Sequence, residues 1–126
     1  MKKTALLLSF CLLFLAANIC AQTSVKSNII SLNKTEFKTK LAKKGVQLVD
    51  VRTPAEFILG HIDSALNLNV NDVLFKEQVA KLNKNKPVAL YCKAGSRSAR
   101  AANILSEMGF KTIYNLDGGY MAWTSN

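Results

Sequence analysis

Apolar positions in this chain follow three rhythms. From Ala5 to Ala17 they form one continuous run, broken only by Ser9. From residue 28 onward, short apolar runs alternate with stripes at three- and four-residue spacing. The short runs read as strands buried in a sheet and the stripes as amphipathic helices. The runs predict strands at Asn28–Ser31, Val46–Val51, Ala65–Leu68, from Pro87 up to Cys92, and Lys111–Tyr114.

The stripes and their end signals predict the helices between them. Asn33, with Glu36 three residues on, forms a capping-box pattern, and Leu32 and Phe37 stand where a hydrophobic staple closes. Phe37, Leu41 and Ala42 supply the apolar face, and Gly45 ends the helix. Thr53 as N-cap, Pro54 at the first helical position and Glu56 as the returning acid start a second, short helix that stops at Gly60. His61–Ser64 is a turn. Asn71 or Asp72 caps a third helix running to about Leu82, with Phe75, Val79 and Leu82 on one face. The fourth spans Ser98–Met108, with Ala99, Ala102, Leu105 and Met108 as its stripe and Gly109 as its C-cap. Asp117-Gly118-Gly119 turns the chain into one last helical turn at Tyr120–Trp123. Strands alternating with helices predict an α/β domain with a parallel sheet covered on both faces. Active sites in such sheets lie at the C-terminal strand ends, and Asp50 and Cys92 both fall there.

Composition narrows the picture. A chain of 126 residues, 49% hydrophobic and 20% charged, suits one small globular domain. The amino-terminal run is shorter than the roughly 20 residues that span a bilayer. Preceded by Lys2 and Lys3 and followed by small residues, it reads as a secretory signal peptide over residues 1–21, cut after Ala21. A flexible lead-in over 22–27 and a domain over 28–126 follow. The expectation is an exported protein, periplasmic or secreted, with no membrane anchor after cleavage. A lipid-modified Cys20 is the alternative, and the bulky Ile19 before it argues against that.

Cleavage removes Cys11 and Cys20 and leaves Cys92 alone among the three cysteines, so no internal disulfide can form. A lone thiol in an oxidising compartment is a liability unless it is used. The net charge is +9, or +7 without Lys2 and Lys3, but its lysines lack interleaved aromatics, which argues against a nucleic-acid partner. One cysteine and one histidine in the domain are too few for a metal cluster, and no cofactor is implied.

The chemistry concentrates in Tyr91-Cys92-Lys93-Ala94-Gly95-Ser96-Arg97-Ser98. A buried strand ends at the cysteine, a loop of small residues follows, and a helix begins. None of the residues from Lys93 to Ser98 is proline, so every backbone N–H is retained and can face the sulfur. Gly95 permits angles that a Cβ would resist. Lys93, Arg97 and Arg100 add positive charge. A sulfur so placed is expected to be largely thiolate at neutral pH, hence nucleophilic.

Two further stretches accompany this loop: Leu48-Val49-Asp50-Val51-Arg52 with Glu56 and Gly60-His61-Ile62 downstream, and Asn115-Leu116-Asp117-Gly118-Gly119 with Trp123. In their order and spacing they resemble the rhodanese family, above all its small exported single-domain members, over about Ile29 to Trp123. The resemblance implies a single domain with a five-stranded parallel sheet and a sulfurtransferase activity. It makes Cys92 the catalytic nucleophile and persulfide carrier, and Lys93, Ala94, Gly95, Ser96 and Arg97 the active-site loop and anion cradle. Asp50, Arg52 and Glu56 become supports, the carboxylates pairing with Arg52 or Arg97. The donor would be a small sulfur-containing anion such as thiosulfate, guided by Lys93, and the acceptor cyanide or a thiol. Two alternatives stand beside it: a non-catalytic binding or sulfur-carrier module, and a cysteine phosphatase or arsenate reductase. The latter place five residues between cysteine and arginine, where this chain has four, Lys93 to Ser96.

Overall fold

The computed structural model describes residues 27–126. The leader, the alternative Cys20 anchor and all of the lead-in except Ser27 lie outside the described residues. Five strands, β1 (Ile29–Leu32), β2 (Gln47–Asp50), β3 (Leu66–Asn67), β4 (Val88–Tyr91) and β5 (Ile113–Leu116), form one sheet in the order β1-β5-β4-β2-β3, with every pairing parallel. The helices are α1 (Lys34–Leu41), α2 (Pro54–Leu59), α3 (Phe75–Val79), α4 (Ser96–Glu107) and α5 (Gly119–Thr124). No helix of the described residues is long and apolar enough to cross a membrane.

The two-residue period of a strand sorts side chains to two faces. Along the central strand, Val88, Leu90 and Cys92 point to one core, packed with Ala101, Ala102 and Leu105 of α4 and Phe75 and Val79 of α3. Ala89 and Tyr91 point to the other, with Phe37 of α1 and Leu116, and with Tyr120 and Trp123 of α5 packed against it. Trp123 meets Phe37 edge-on, their ring centres 6.4 Å apart. The alternation therefore delivers Cys92 to the α4 face at the top of the sheet.

Local signals set the first two helices. Asn33 accepts the Glu36 N–H at 2.9 Å and the Glu36 carboxylate accepts the Asn33 N–H at 2.9 Å, so both halves of the capping box are made. Leu32 and Phe37 are buried in one cluster, as a staple requires. Thr53 accepts the Glu56 N–H at 3.3 Å, with Pro54 at the helix start.

Elsewhere the structure departs from the sequence reading. α3 is a short helix, not one running from Asn71 or Asp72 to Leu82. The Asp72 carboxylate accepts the Leu74 N–H at 2.9 Å, and Asn71 turns to Arg100. Such local side-chain bonds compete with helix extension. α4 begins two residues early and is rotated: Ser98, Ala101, Ala102 and Leu105 are buried, whereas Ala99 is exposed. β5 runs over Ile113–Leu116 instead of Lys111–Tyr114, because Ile113 is the first residue to register against β4, opposite Val88.

Candidate active site

Cys92 follows β4 directly and is buried, 1% exposed. Gly95 takes the left-handed conformation, φ 118°, and thereby turns the chain into α4 within three residues of the cysteine. The turn aims donors at the sulfur. Sγ accepts the Gly95 N–H at 3.0 Å and the Ser98 hydroxyl at 3.4 Å. Burial pushes the thiol's pKa up. The Ser98 hydroxyl and the Ser98, Gly95 and Ala94 N–H groups together outweigh burial and hold the thiol below its ordinary value.

This is narrower than a ring of amides all facing inward: among the loop N–H groups, that of Gly95 alone is in hydrogen-bond geometry with Sγ. Ser98 is a functional candidate that the spacing argument missed. The sequence carries its signal, a polar residue on the buried face of α4, but the three-residue stripe puts Ala99 on that face instead.

The predicted supports separate into two pairs. Asp50 and Arg52 are both buried and share a salt bridge at 2.6 Å. Arg52 also donates to the Gly60 carbonyl at 2.7 Å and lies 4.4 Å from the Tyr120 ring centre. Burial lowers the guanidinium's pKa, but the Asp50 bond and charge outweigh it and hold Arg52 above its ordinary value. Asp50 thus shares the sheet edge with Cys92, but its carboxylate is turned to Arg52 instead of the sulfur.

Arg97 grips Glu56 with two parallel bonds, 2.7 and 2.8 Å. That bond draws the Glu56 carboxyl down to about 2, even against burial, with help from Thr53, and it raises Arg97. The Glu56 side chain therefore reaches the Thr53 hydroxyl at 3.1 Å rather than the Thr53 N–H expected of a returning acid. Arg97 closes the loop by tying α4 to α2, and its guanidinium is directed at Glu56.

Of the remaining cations, Lys93 and Arg100 take part in no salt bridge among the described residues. Lys93 is exposed and lines a cleft of about 300 Å³ with Arg52, Glu56, Leu59, Tyr120 and Met121. Ala94 and Ser96 are exposed on the loop surface. His61 stacks on Phe57, 3.7 Å between ring centres, and its Nδ1 lies 2.9 Å from the Phe57 carbonyl, so it ties down the end of α2.

The Asp117-Gly118-Gly119 turn does more than bend the chain. The Tyr120 N–H donates to the Cys92 carbonyl at 2.7 Å and the Met121 N–H to the Lys93 carbonyl at 3.0 Å. A Cβ on Gly119 would lie 2.5 Å from the first of these oxygens and 2.6 Å from the second. Paired glycines after the last strand were the only sequence signal of this contact.

Comparison with known proteins gives a consistent result. The rhodanese-like domain family matches residues 33–126. Rhodanese-like domain-containing protein 17 of Arabidopsis thaliana is 36% identical over 93% of this chain and 84% of its own length. The thiosulfate sulfurtransferase GlpE of Shewanella oneidensis is 40% identical over 64% of this chain and 77% of its own. A rhodanese-like domain protein of Staphylococcus aureus superposes with a TM-score of 0.68 at 33% identity, covering 77% of this chain and 93% of that one.

Proposed function

Because this chain belongs to the rhodanese-like domain family, we propose that it is a sulfurtransferase that carries sulfane sulfur as a persulfide on Cys92. The thiolate attacks the outer sulfur of a donor such as thiosulfate. A new Cys92 S–S bond forms, the donor's S–S bond breaks, and its electron pair leaves on sulfite. Cyanide or a thiolate then attacks the terminal sulfur of the persulfide, takes it as thiocyanate or a new persulfide, and returns Cys92 to thiolate. Each step moves one sulfur atom and leaves the total charge unchanged.

The observation that carries this reading is the donor set on the sulfur: the Gly95 N–H at 3.0 Å and the Ser98 hydroxyl at 3.4 Å on a buried thiol. Donors fixed before reaction stabilise an anion without reorganisation, and they serve the thiolate and the persulfide alike. Lys93, exposed and lining the cleft, draws an anionic donor inward. The engagement of Arg97 by Glu56 favours sulfur over phosphoryl chemistry, since a tetrahedral phosphate would need that guanidinium. The amino-terminal pattern extends the proposal to an exported protein.

Cys92→Ser is expected to abolish thiosulfate:cyanide sulfur transfer while leaving the circular dichroism spectrum unchanged. Mass spectrometry of the parent protein after thiosulfate treatment should find one added sulfur on the Cys92 peptide, removable by cyanide. Retained turnover in Cys92→Ser, or no adduct in the parent, overturns the assignment.

A further inference from the structure

We propose that the Gly119-Tyr120-Met121 turn is a positioning element for the sulfur: its N–H groups pin the Cys92 and Lys93 carbonyls, fix the two peptide planes that follow the cysteine, and so hold the loop in the path that brings the Gly95 N–H onto Sγ. The described chain contains no cis peptide bond, and in a planar trans peptide the C=O and the next N–H point in opposite directions. Pinning the Lys93 oxygen to the Met121 N–H at 3.0 Å fixes the direction of the Ala94 N–H. Pinning the Cys92 oxygen to the Tyr120 N–H at 2.7 Å fixes the plane before it. These two planes lead directly to Gly95, whose N–H donates to Sγ at 3.0 Å, and the Ala94 N–H of the second plane also favours the thiolate.

Gly119 makes this approach possible. Its φ of 60° is one that L side chains rarely adopt, and a Cβ there would strike both carbonyl oxygens. The contact is backbone to backbone, so no side chain on α5 can replace it. Met121 also lines the cleft beside Lys93, which places the loop's anchor and the cleft wall on one short helix.

The inference rests on the sulfur-carrier reading only for its consequence, and its test does not use sulfur transfer. Semisynthesis of the C-terminal segment can replace the amide N–H of Met121, or of Tyr120, by an ester oxygen without changing any side chain. The readout is the pH profile of iodoacetamide alkylation at Cys92, followed by peptide mapping in the full chain. The Met121 ester is expected to move the alkylation midpoint up by about one pH unit, the weight of roughly one hydrogen bond. Gly119→Ala should move it in the same direction. Trp123→Ala, which loosens α5 on Phe37 without touching the loop, should lower the melting temperature and leave the midpoint in place. An unchanged midpoint in the folded Met121 ester overturns the proposal. So does an equal shift in Trp123→Ala, which would reduce the turn to general packing. A protein that forms no persulfide but shows the ester shift would refute the sulfurtransferase reading and leave this one standing.

Discussion

The expected site residues form two arginine–carboxylate pairs, made of the same chemistry and put to different uses. Asp50 and Arg52 are two residues apart and their side chains are 0% and 5% exposed. Glu56 and Arg97 are forty-one residues apart and 30% and 23% exposed. The first pair closes a corner of the fold, linking the end of β2 to the Gly60 carbonyl beneath Tyr120. The second is a strap between α2 and the first turn of α4. Each engages an arginine that the family resemblance assigns to the Cys92 site. The positive residues around a thiol are therefore a poor measure of what stabilises it. In this fold the backbone and hydroxyl donors do that work at contact distance, and Lys93 and Arg100 supply the charge left outside salt bridges.

The comparison breaks most visibly if the buried partner is removed. Asp50→Ala leaves the Arg52 guanidinium buried without its counter-ion, and loss of one member of such a pair costs about 3–5 kcal/mol. The expected result is a large fall in melting temperature, or failure to fold at 37 °C, read by thermal denaturation. Near-native stability would show that Arg52 escapes to solvent.

Arg97→Ala tests the other pair. It frees Glu56 at a half-exposed site, so stability should fall by only about 1 kcal/mol. The strap on α4 is lost, and sulfur transfer from thiosulfate should drop about tenfold, the equivalent of ~1.4 kcal/mol in the transition state. An unchanged rate would leave Arg97 with no part in the site. Opposite rankings in stability and activity for the two variants are what separate a fold-closing pair from a loop-holding one.

The sequence made some of this readable and hid the rest for physical reasons. Caps such as Asn33 with Glu36, and Thr53 with Pro54, are local and were legible, as was the strand–loop–helix around Cys92. Pairing of Asp50 with Arg52 is nearly local, since the Arg52 N–H also bonds the Asp50 carboxylate at 2.9 Å. The choice of Glu56 by Arg97 depends on α2 and α4 meeting in space, and residue order alone left either arginine open. Ser98 is not legible in the stripe because a one-residue rotation of α4 exchanges it with Ala99 on the buried face. The apolar stripe overextends α3 because Leu82 does pack on the core while the backbone that carries it is turn. The role of Gly119 was hidden for a further reason: glycine advertises freedom, whereas here it is the absence of an atom between two carbonyl oxygens that matters.

The smallest expected effect is also the one that isolates the strap by its titration. In the unfolded chain the Glu56 carboxyl has its ordinary value of 4.5, and in the folded protein its Arg97 bond holds it down to about 2. Between those values the unfolded state binds the proton more readily than the folded one, so stability falls as pH falls. The contribution is complete above pH 4.5 and drains away as pH approaches 2. Solvent reaches the pair, so its worth is about 1 kcal/mol, well under what the full shift would give for a dry site. Glu56→Gln keeps the shape and removes the titration. Urea unfolding followed from pH 5 to pH 2 should therefore show a steeper loss in the parent protein than in Glu56→Gln, with the two curves converging at the acid end. Parallel curves would mean that Glu56 is solvated in solution and that the α2–α4 strap is held by something other than its charge.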